Sequence, residues 1–310
     1  MRFFVLFLGL LLSSGAYAAG LEDALLMAQR ECVGISDDLS DLKKMAGIGA
    51  AVSGASAVAG GVALGTGIAK ANVDEELKKL RQEILELASV AADVEIKHVN
   101  VDWAEFDRMI AGIDVGEGVA QQKEAEEEKL EKKSKVLGNV RTGALGVSTV
   151  SNIVGAVVSS ESKVKGDLEQ RVNACLAAIK VLKNEYGQAL VARSETEERL
   201  SYVKDVVSGC EEWEMVDLSV VNSGARGAVV SSGVAAGVGA IGTVTSAMAN
   251  SDSVRVEGGK KEDNLNKVSN VMAGGTGVAS VAATVFNVKQ INSIKKIVAI
   301  AEKCEGAFVK

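Results

Sequence analysis

Apolar residues along most of this chain recur at intervals of three and four positions, which is the spacing of one face of an α-helix. This spacing predicts a short helix near residues 21–31 and five long helices over residues 36–97, 118–159, 163–208, 217–250 and 263–305. Glycines and polar residues interrupt the pattern between these segments, as at the Gly258-Gly259 pair. The pattern predicts an all-α fold, an elongated up-and-down bundle of about five long helices.

The first long helix contains a heptad ladder in its second half. The ladder consists of Val73, Leu77, Leu80, Ile84, Leu87, Ala91 and Val94. Asp74–Lys78 and Glu75–Lys79 pairs at helical spacing flank it. Because an apolar seam of this kind buries itself against another helix, it predicts a coiled-coil partner for this segment.

Four segments of the long helices carry no charged residue. These uncharged tracts cover residues 45–69, 142–160, 227–251 and 268–288 and consist mostly of Gly, Ala, Ser, Thr and Val. In an up-and-down bundle they all fall toward one end, so we expect the Gly/Ala-rich tracts to cluster there. Five aromatic residues fall toward the other end: Trp103, Phe106, Tyr202, Trp213 and Phe308.

Small residues repeat every four positions within two of the tracts. The rows are Ser53, Ala57, Gly61 and Gly65 in the first tract, and Gly233 and Gly237 in the third. Such rows allow helix backbones to approach closely and are common where helices associate in lipid. The tract lengths of 19 to 25 residues also suit a bilayer crossing. In composition these tracts are similar to glycine-zipper membrane and pore-forming proteins, which implies membrane-inserting hairpins.

Other features of the same segments favour a water-soluble bundle. The larger apolar residues fall on single helix stripes: Val230, Val234, Val238, Ile241 and Met248 in the third tract, and Val271, Val278 and Val285 in the fourth, with Gly275 and Ala282 between them. A single stripe is typical of a helix that packs on protein. The predicted helix 163–208 also carries four charges past the tract end, at Lys165, Asp167, Glu169 and Arg171. Arg141 and Arg226, each just before a tract, mark either a membrane boundary or a change of helix face.

The N-terminus has the three parts of an export signal. Arg2 is followed by an apolar run and then by Ala16-Tyr17-Ala18, an A-x-A cleavage pattern. The apolar run is shorter than the 20 or so residues that span a bilayer, so we expect cleavage rather than anchoring. Residues 1–18 are therefore predicted to be a signal peptide, and residues 19–310 a single bundle domain in the periplasm or outside the cell.

Composition removes most enzyme classes from consideration. The chain has no proline, which suits uninterrupted helices, and one histidine, His98, so imidazole-based metal sites and most nucleophile–histidine designs are absent. We predict no catalytic residues, no metal site, no cofactor and no small-molecule substrate. The net charge of −7 also argues against a nucleic-acid partner.

Four cysteines, Cys32, Cys175, Cys210 and Cys304, predict two disulfides in an exported chain. If helix 163–208 is continuous, Cys175 and Cys210 lie about 52 Å apart and cannot pair. The positions of the cysteines along the predicted helices favour Cys32–Cys175 and Cys210–Cys304. The alternative, Cys32–Cys210 with Cys175–Cys304, requires the first long helix to be inverted.

These observations predict an exported, non-catalytic helical bundle of the cell envelope with a structural or protein-interaction role. Self-association or an envelope protein partner is expected from the exposed heptads and glycine rows. The alternative is a membrane-inserting protein, integral or pore-forming, in which the tract pairs 45–69 with 142–160 and 227–251 with 268–288 form hairpins. The two alternatives differ in what the uncharged tracts face.

Overall fold

The computed structural model describes residues 20–96, 103–251, 254 and 260–309, and their side chains except those of 87–96, 103–117 and 120. The predicted signal peptide, His98 and the Gly258-Gly259 pair lie outside the described residues. The same holds for the side chains of Trp103 and Phe106 and for the last three positions of the heptad ladder.

The described residues form an all-α bundle, as predicted. The helices are α1 (Leu21–Cys32), α2 (Ile35–Ile96), α3 (Trp103–Glu161), α4 (Gly166–Ala192), α5 (Glu197–Gly209), α6 (Leu218–Ala249) and α7 (Lys260–Ala307). A short 3-10 turn, Glu211–Met215, connects α5 to α6. Five of the helices are long, in agreement with the number that the apolar spacing predicts.

The prediction of one continuous helix over residues 163–208 is wrong. The chain leaves the helix at Arg193, whose φ of 50° places it in the left-handed region. It enters α5 at Thr196, whose hydroxyl accepts a hydrogen bond from the N–H of Arg199. Thr196 followed by two glutamates is a helix-start signal, because the threonine caps free N–H groups and the acidic residues favour the positive end of the helix dipole.

The chain divides into two compact units, which are described separately. Unit 1 comprises Met1–Ala50, Val157–Val229 and Val285–Lys310, and unit 2 comprises Ala51–Ala156 and Val230–Thr284. Helices α2, α3, α6 and α7 each contribute residues to both units, whereas α1, α4 and α5 belong to unit 1 alone. The prediction of a single bundle domain stays a prediction.

Unit 1 has the apolar core of an ordinary water-soluble domain. Its largest fully buried side chains include Trp213, Ile35, Leu39, Ile179, Leu182 and Ile294. Ion pairs lie on its surface, among them Arg199 with Glu22 at 2.7 Å and Lys303 with Glu212 at 2.6 Å. Because the apolar side chains are inside and the charges outside, burial of apolar surface accounts for the packing of this unit.

Both cysteine pairs lie inside the core of unit 1. Cys32 is joined to Cys175, and Cys210 to Cys304, with Cα–Cα distances of 4.7 and 4.4 Å. These are the pairs that the sequence favoured. All four cysteines belong to one apolar cluster.

The heptad ladder of α2 has the partners that it predicts. Val73, Leu77 and Leu80 are buried, and ion pairs join α2 to α3, with Arg81 to Glu127 at 2.6 Å and Glu83 to Lys123 at 2.6 Å. The Glu75–Lys79 pair forms at 3.0 Å. The expected Asp74–Lys78 pair does not, because Lys78 binds Asp263 of α7 and Asp74 binds Lys70.

Candidate functional site

Along and next to the uncharged tracts, the interior of unit 2 is lined by small and polar side chains. On each of its four helices the buried positions recur at intervals of three and four residues, as in a coiled coil. In this part of the unit they are Ser53, Ser56, Gly60, Ala63, Gly67 and Lys70 on α2; Ser134, Gly138, Arg141, Leu145, Ser148, Asn152 and Gly155 on α3; Ser232, Ala235, Gly239, Gly242, Ser246 and Ala249 on α6; and Asn266, Ser269, Ala273, Thr276, Ser280 and Ala283 on α7. Beyond Lys70 the buried positions of α2 are the apolar Val73, Leu77 and Leu80 of the heptad ladder.

The large apolar side chains of the same helices point outward. Val58, Val150, Val230 and Val278 are 69%, 62%, 65% and 74% exposed, one on each helix. The exposed set within unit 2 also includes Val62, Ile68, Val147, Ile153, Val154, Val234, Ile241, Val244, Met248, Val268, Val271 and Val281. The apolar stripes that favoured a water-soluble bundle are therefore on the outside, and the expectation that they pack on protein is wrong.

The glycines that pack helices together are not the ones that the four-residue rows predict. A Cβ atom on Gly60 would lie 3.1 Å from the Cα of Gly277, so α2 and α7 touch through their backbones there. A Cβ on Gly239 would lie 2.6 Å from Oγ1 of Thr149. Gly61, Gly65, Gly233 and Gly237 have no such neighbour within 4 Å.

The other predicted packing residues divide between the two faces. Ser53 is fully buried, Ala57 is half-buried, and Gly275 is exposed, although a Cβ there would lie 3.2 Å from Val238. The inner row therefore runs one position away from Gly61 and follows a seven-residue rather than a four-residue repeat.

A hydroxyl layer crosses the interior of unit 2. The Ser56 hydroxyl lies 2.7 Å from that of Ser148 and 3.1 Å from that of Ser280. Asn152 donates to Ser56 Oγ at 2.5 Å, and its side-chain oxygen accepts from Ser280 at 3.1 Å. Three helices thus meet through hydrogen bonds where a water-soluble bundle would place leucines.

Two buried hydroxyls next to this layer have no hydrogen-bond partner. They are Ser53 Oγ and Ser232 Oγ, on α2 and α6, and both side chains are fully buried. A Cβ on Gly155 of α3 would lie 3.2 and 3.4 Å from these two oxygens, so they converge on the same glycine. Buried polar atoms without a protein partner commonly bind an ordered water.

Within the uncharged tracts, the apolar part of the interior of unit 2 is a single thin layer. Leu145 packs there with Ala63 and Ala273, and half-buried Leu64 and Ala144 adjoin it. A Cβ on Gly242 would lie 3.4 Å from both methyl groups of Leu145. Leu145 is the one large apolar side chain among the buried tract residues of unit 2 that the structure describes.

A buried ion cluster lies at the tract ends on the far side of the Leu145 layer from the hydroxyls. Lys70 is 1% exposed, and its Nζ atom lies 2.6 Å from Asp74 and 3.0 Å from Glu262. Ser134 donates to Asp74 at 2.5 Å. This ion cluster joins α2, α3 and α7, and its carboxylates neutralise the buried ammonium group.

Arg141 extends the cluster toward α6. Its guanidinium donates to Asn266 at 2.7 Å, to Asn270 at 3.1 Å and to Ser246 at 2.9 Å, and the side chain is fully buried. Arg141 therefore lies on the inner face of α3, directly before the second tract. The sequence signal that could have indicated this is the group of asparagines on α7.

Arg226, the other arginine before a tract, is exposed in unit 1. It lines a groove of about 670 Å³ between α4 and the start of α6, together with Glu169 and Asp217. Hydrogen bonds from the hydroxyl and the backbone N–H of Ser219 lower the pKa of the Asp217 carboxyl. Asp217 thereby caps α6, since Ser219 donates to it at 2.8 Å.

The described residues contain no cluster of His, Cys, Asp and Glu able to hold a metal ion. Four helical segments, Leu21–Glu86, Gln121–Ala192, Leu218–Ala249 and Lys260–Ala307, are long and apolar enough to cross a membrane. Only 28% of the most apolar 18-residue window in each is buried. No protein-family model, curated protein or solved structure matches the chain.

Proposed function

We propose that this protein is an exported, non-catalytic integral membrane protein whose four uncharged tracts cross a bilayer. The observation that carries the proposal is the arrangement of the tracts in unit 2, where serine, threonine and asparagine are inside and valine and isoleucine outside. An exposed apolar surface that continues over four helices marks a membrane or protein contact rather than a surface in water. This is the membrane-inserting alternative of the sequence analysis.

The energetics of this arrangement differ between water and lipid. Burying one valine or isoleucine in a soluble core contributes about 1.5–3 kcal/mol, which the outward residues of unit 2 forgo in water. In lipid the same side chains favour insertion, and helices associate through small residues and interhelical hydrogen bonds instead. The Gly60–Gly277 contact and the hydroxyl layer are interactions of that kind.

The buried charges do not oppose a membrane location. Lys70 directly follows the first tract and Arg141 directly precedes the second, so both lie at tract ends rather than at tract centres. Each also has hydrogen-bond partners inside the unit. The four charges from Lys165 to Arg171 belong to unit 1 and follow the end of the second tract in the chain.

The order of tracts and cysteines along the chain agrees with this topology. Four crossings place the segments before the first tract, between the second and third, and after the fourth on the same side of a bilayer. Cys32, Cys175, Cys210 and Cys304 all lie in these three segments. A chain exported with its N-terminus would therefore have every cysteine on the oxidising side, where disulfides form.

Carbonate washing of membranes from cells that express the full chain tests the proposal. We expect the mature protein to stay in the pellet, whereas a peripheral control protein is released. Recovery of the protein in the wash would overturn the proposal and favour the soluble envelope bundle.

A matched pair of substitutions distinguishes a lipid environment of the tracts from an aqueous one by the retention of the protein in the membrane pellet. Val278→Asp places a carboxylate on the outside of the fourth tract, which costs about 2.5–3.5 kcal/mol at a bilayer centre, so less protein should be retained in the pellet. Val191→Asp, at an 88% exposed site in unit 1, is the control and should leave retention unchanged. In a soluble bundle both changes would be neutral or would improve solubility.

A further inference from the structure

We propose that the interior of unit 2 along the uncharged tracts is a closed path for water and small monovalent ions, with Leu145 as its hydrophobic gate. This inference rests on the proposed membrane location. It goes beyond it by assigning a permeation function to the polar interior of the tracts.

The lining of the path is polar on both sides of one apolar layer. On one side lie the hydroxyls of Ser56, Ser148 and Ser280 with Asn152. On the other side lie Arg141 and the ion cluster. Pores in membrane proteins are lined by hydroxyl, amide and charged groups of this type, and narrow apolar constrictions close them by excluding water.

The unpartnered hydroxyls of Ser53 and Ser232 are the independent sign that the interior takes up water. Both are fully buried and both lie against Gly155, where a Cβ atom would be 3.2 and 3.4 Å from the two oxygens. A packing role would be served by alanine at either position without the cost of an unsatisfied hydroxyl. A water or a partly dehydrated ion between the two oxygens satisfies both.

Leu145 is in position to close this path. It is the large apolar side chain of the thin layer with Ala63 and Ala273, between the hydroxyls and the ion cluster. Its neighbours are small, so the seal depends on this one side chain. Replacing it with a small polar residue should wet the layer and leave the outer surface of the unit unchanged.

Ion conductance of the full chain in planar bilayers with KCl on both sides tests the gate. The wild type should conduct little, and Leu145→Ser should raise the conductance at least tenfold. Ile153→Ser, on the exposed face of the same helix, is the matched control and should behave as the wild type. Gly155→Leu added to Leu145→Ser should abolish the gain, because a leucine side chain there would lie against the hydroxyls of both Ser53 and Ser232.

The outcomes separate this inference from the proposed membrane location. Release of the wild type by carbonate would remove the membrane location and the path with it. If Leu145→Ser is retained and helical but conducts as little as the wild type, the path is wrong while the membrane location stands.

A second measurement does not depend on the gate variant folding. Ser53→Cys in the otherwise native protein should react with a small, membrane-impermeant methanethiosulfonate, because water reaches that layer, whereas lipid-facing Val58→Cys should not. The native cysteines are paired and do not react. Equal inertness of the two variants would overturn the proposal.

Discussion

Alanine substitution at two adjacent glycines measures which face of α2 packs inside unit 2. Gly60 lies against the backbone of Gly277, and a Cβ there would be 3.1 Å from both the Cα and the N atom of that residue. Gly61, the next residue, has nothing within 4 Å of its Cβ position. The four-residue row in the sequence assigns the packing role to Gly61, and the structure assigns it to Gly60.

The two substitutions should change stability in opposite directions. At Gly60 the added methyl group meets backbone atoms, which cannot rotate away, so the helices must separate at a cost of about 1–3 kcal/mol. At Gly61 the methyl group meets no protein atom, and the higher helix propensity of alanine contributes up to about 1 kcal/mol. Because alanine raises helix propensity at both positions alike, the difference between Gly60→Ala and Gly61→Ala should be the packing cost of about 1–3 kcal/mol.

Chemical denaturation followed by far-UV circular dichroism gives both free energies of unfolding, with wild type and variants in the same detergent. Comparison of two neighbouring positions on one helix cancels general effects of glycine replacement. Equal effects of the two substitutions, or a larger loss of stability at Gly61, would refute the Gly60–Gly277 contact. They would also refute the orientation of the four helices in which the small polar residues face inward.

Three further predictions concern unit 1. Replacing Cys210 and Cys304 together by serine removes a cross-link over a sequence separation of 94 residues and should lower the free energy of unfolding by about 4–5 kcal/mol in urea titrations; an unchanged value would contradict the pairing. Thr196→Ala removes the cap of α5 and should cost about 1 kcal/mol in the same titration. The lowered pKa of Asp217 means that its stabilising effect is complete above the ordinary carboxyl pKa and is lost as pH falls through the lowered value. Thermal melts across acidic pH should therefore show a smaller acid-induced loss for Asp217→Asn than for the wild type, and identical profiles would contradict this.

Helix content could be predicted from the sequence because it depends on local spacing, whereas the disulfide pairs join residues 143 and 94 positions apart. The helices follow from three- and four-residue periodicity in a chain without proline. The cysteine pairing followed from an exclusion, namely that Cys175 and Cys210 are too far apart along one helix. That helix in fact ends at Ala192, so the premise was wrong although the pairs agree.

The break at Arg193 could not be predicted from apolar spacing. No glycine or proline stands there, and the next residues resume helical spacing. The signal that was present is Thr196 followed by Glu197 and Glu198, a capping residue before two first-turn acids. A capping residue stabilises a helix by about 1 kcal/mol. Each further apolar side chain that the helix buries contributes about 1.5–3 kcal/mol. Apolar spacing that continues past Arg193 is therefore the stronger signal in the sequence, and it hides the cap.

The facing of the uncharged tracts could not be predicted because two heptad patterns coexist on each helix. On α7, Val271, Val278 and Val285 recur every seven residues, and Ala273, Ser280 and Asn287 recur at the same interval two positions later. Periodicity determines the angle between the two stripes but not which of them faces inward. Which stripe faces inward depends on the solvent. In water the valines would be buried inside, and in lipid the small polar residues would be. The structure has serine inside and valine outside, so the phase of the heptads on α7 is itself an argument about what surrounds unit 2.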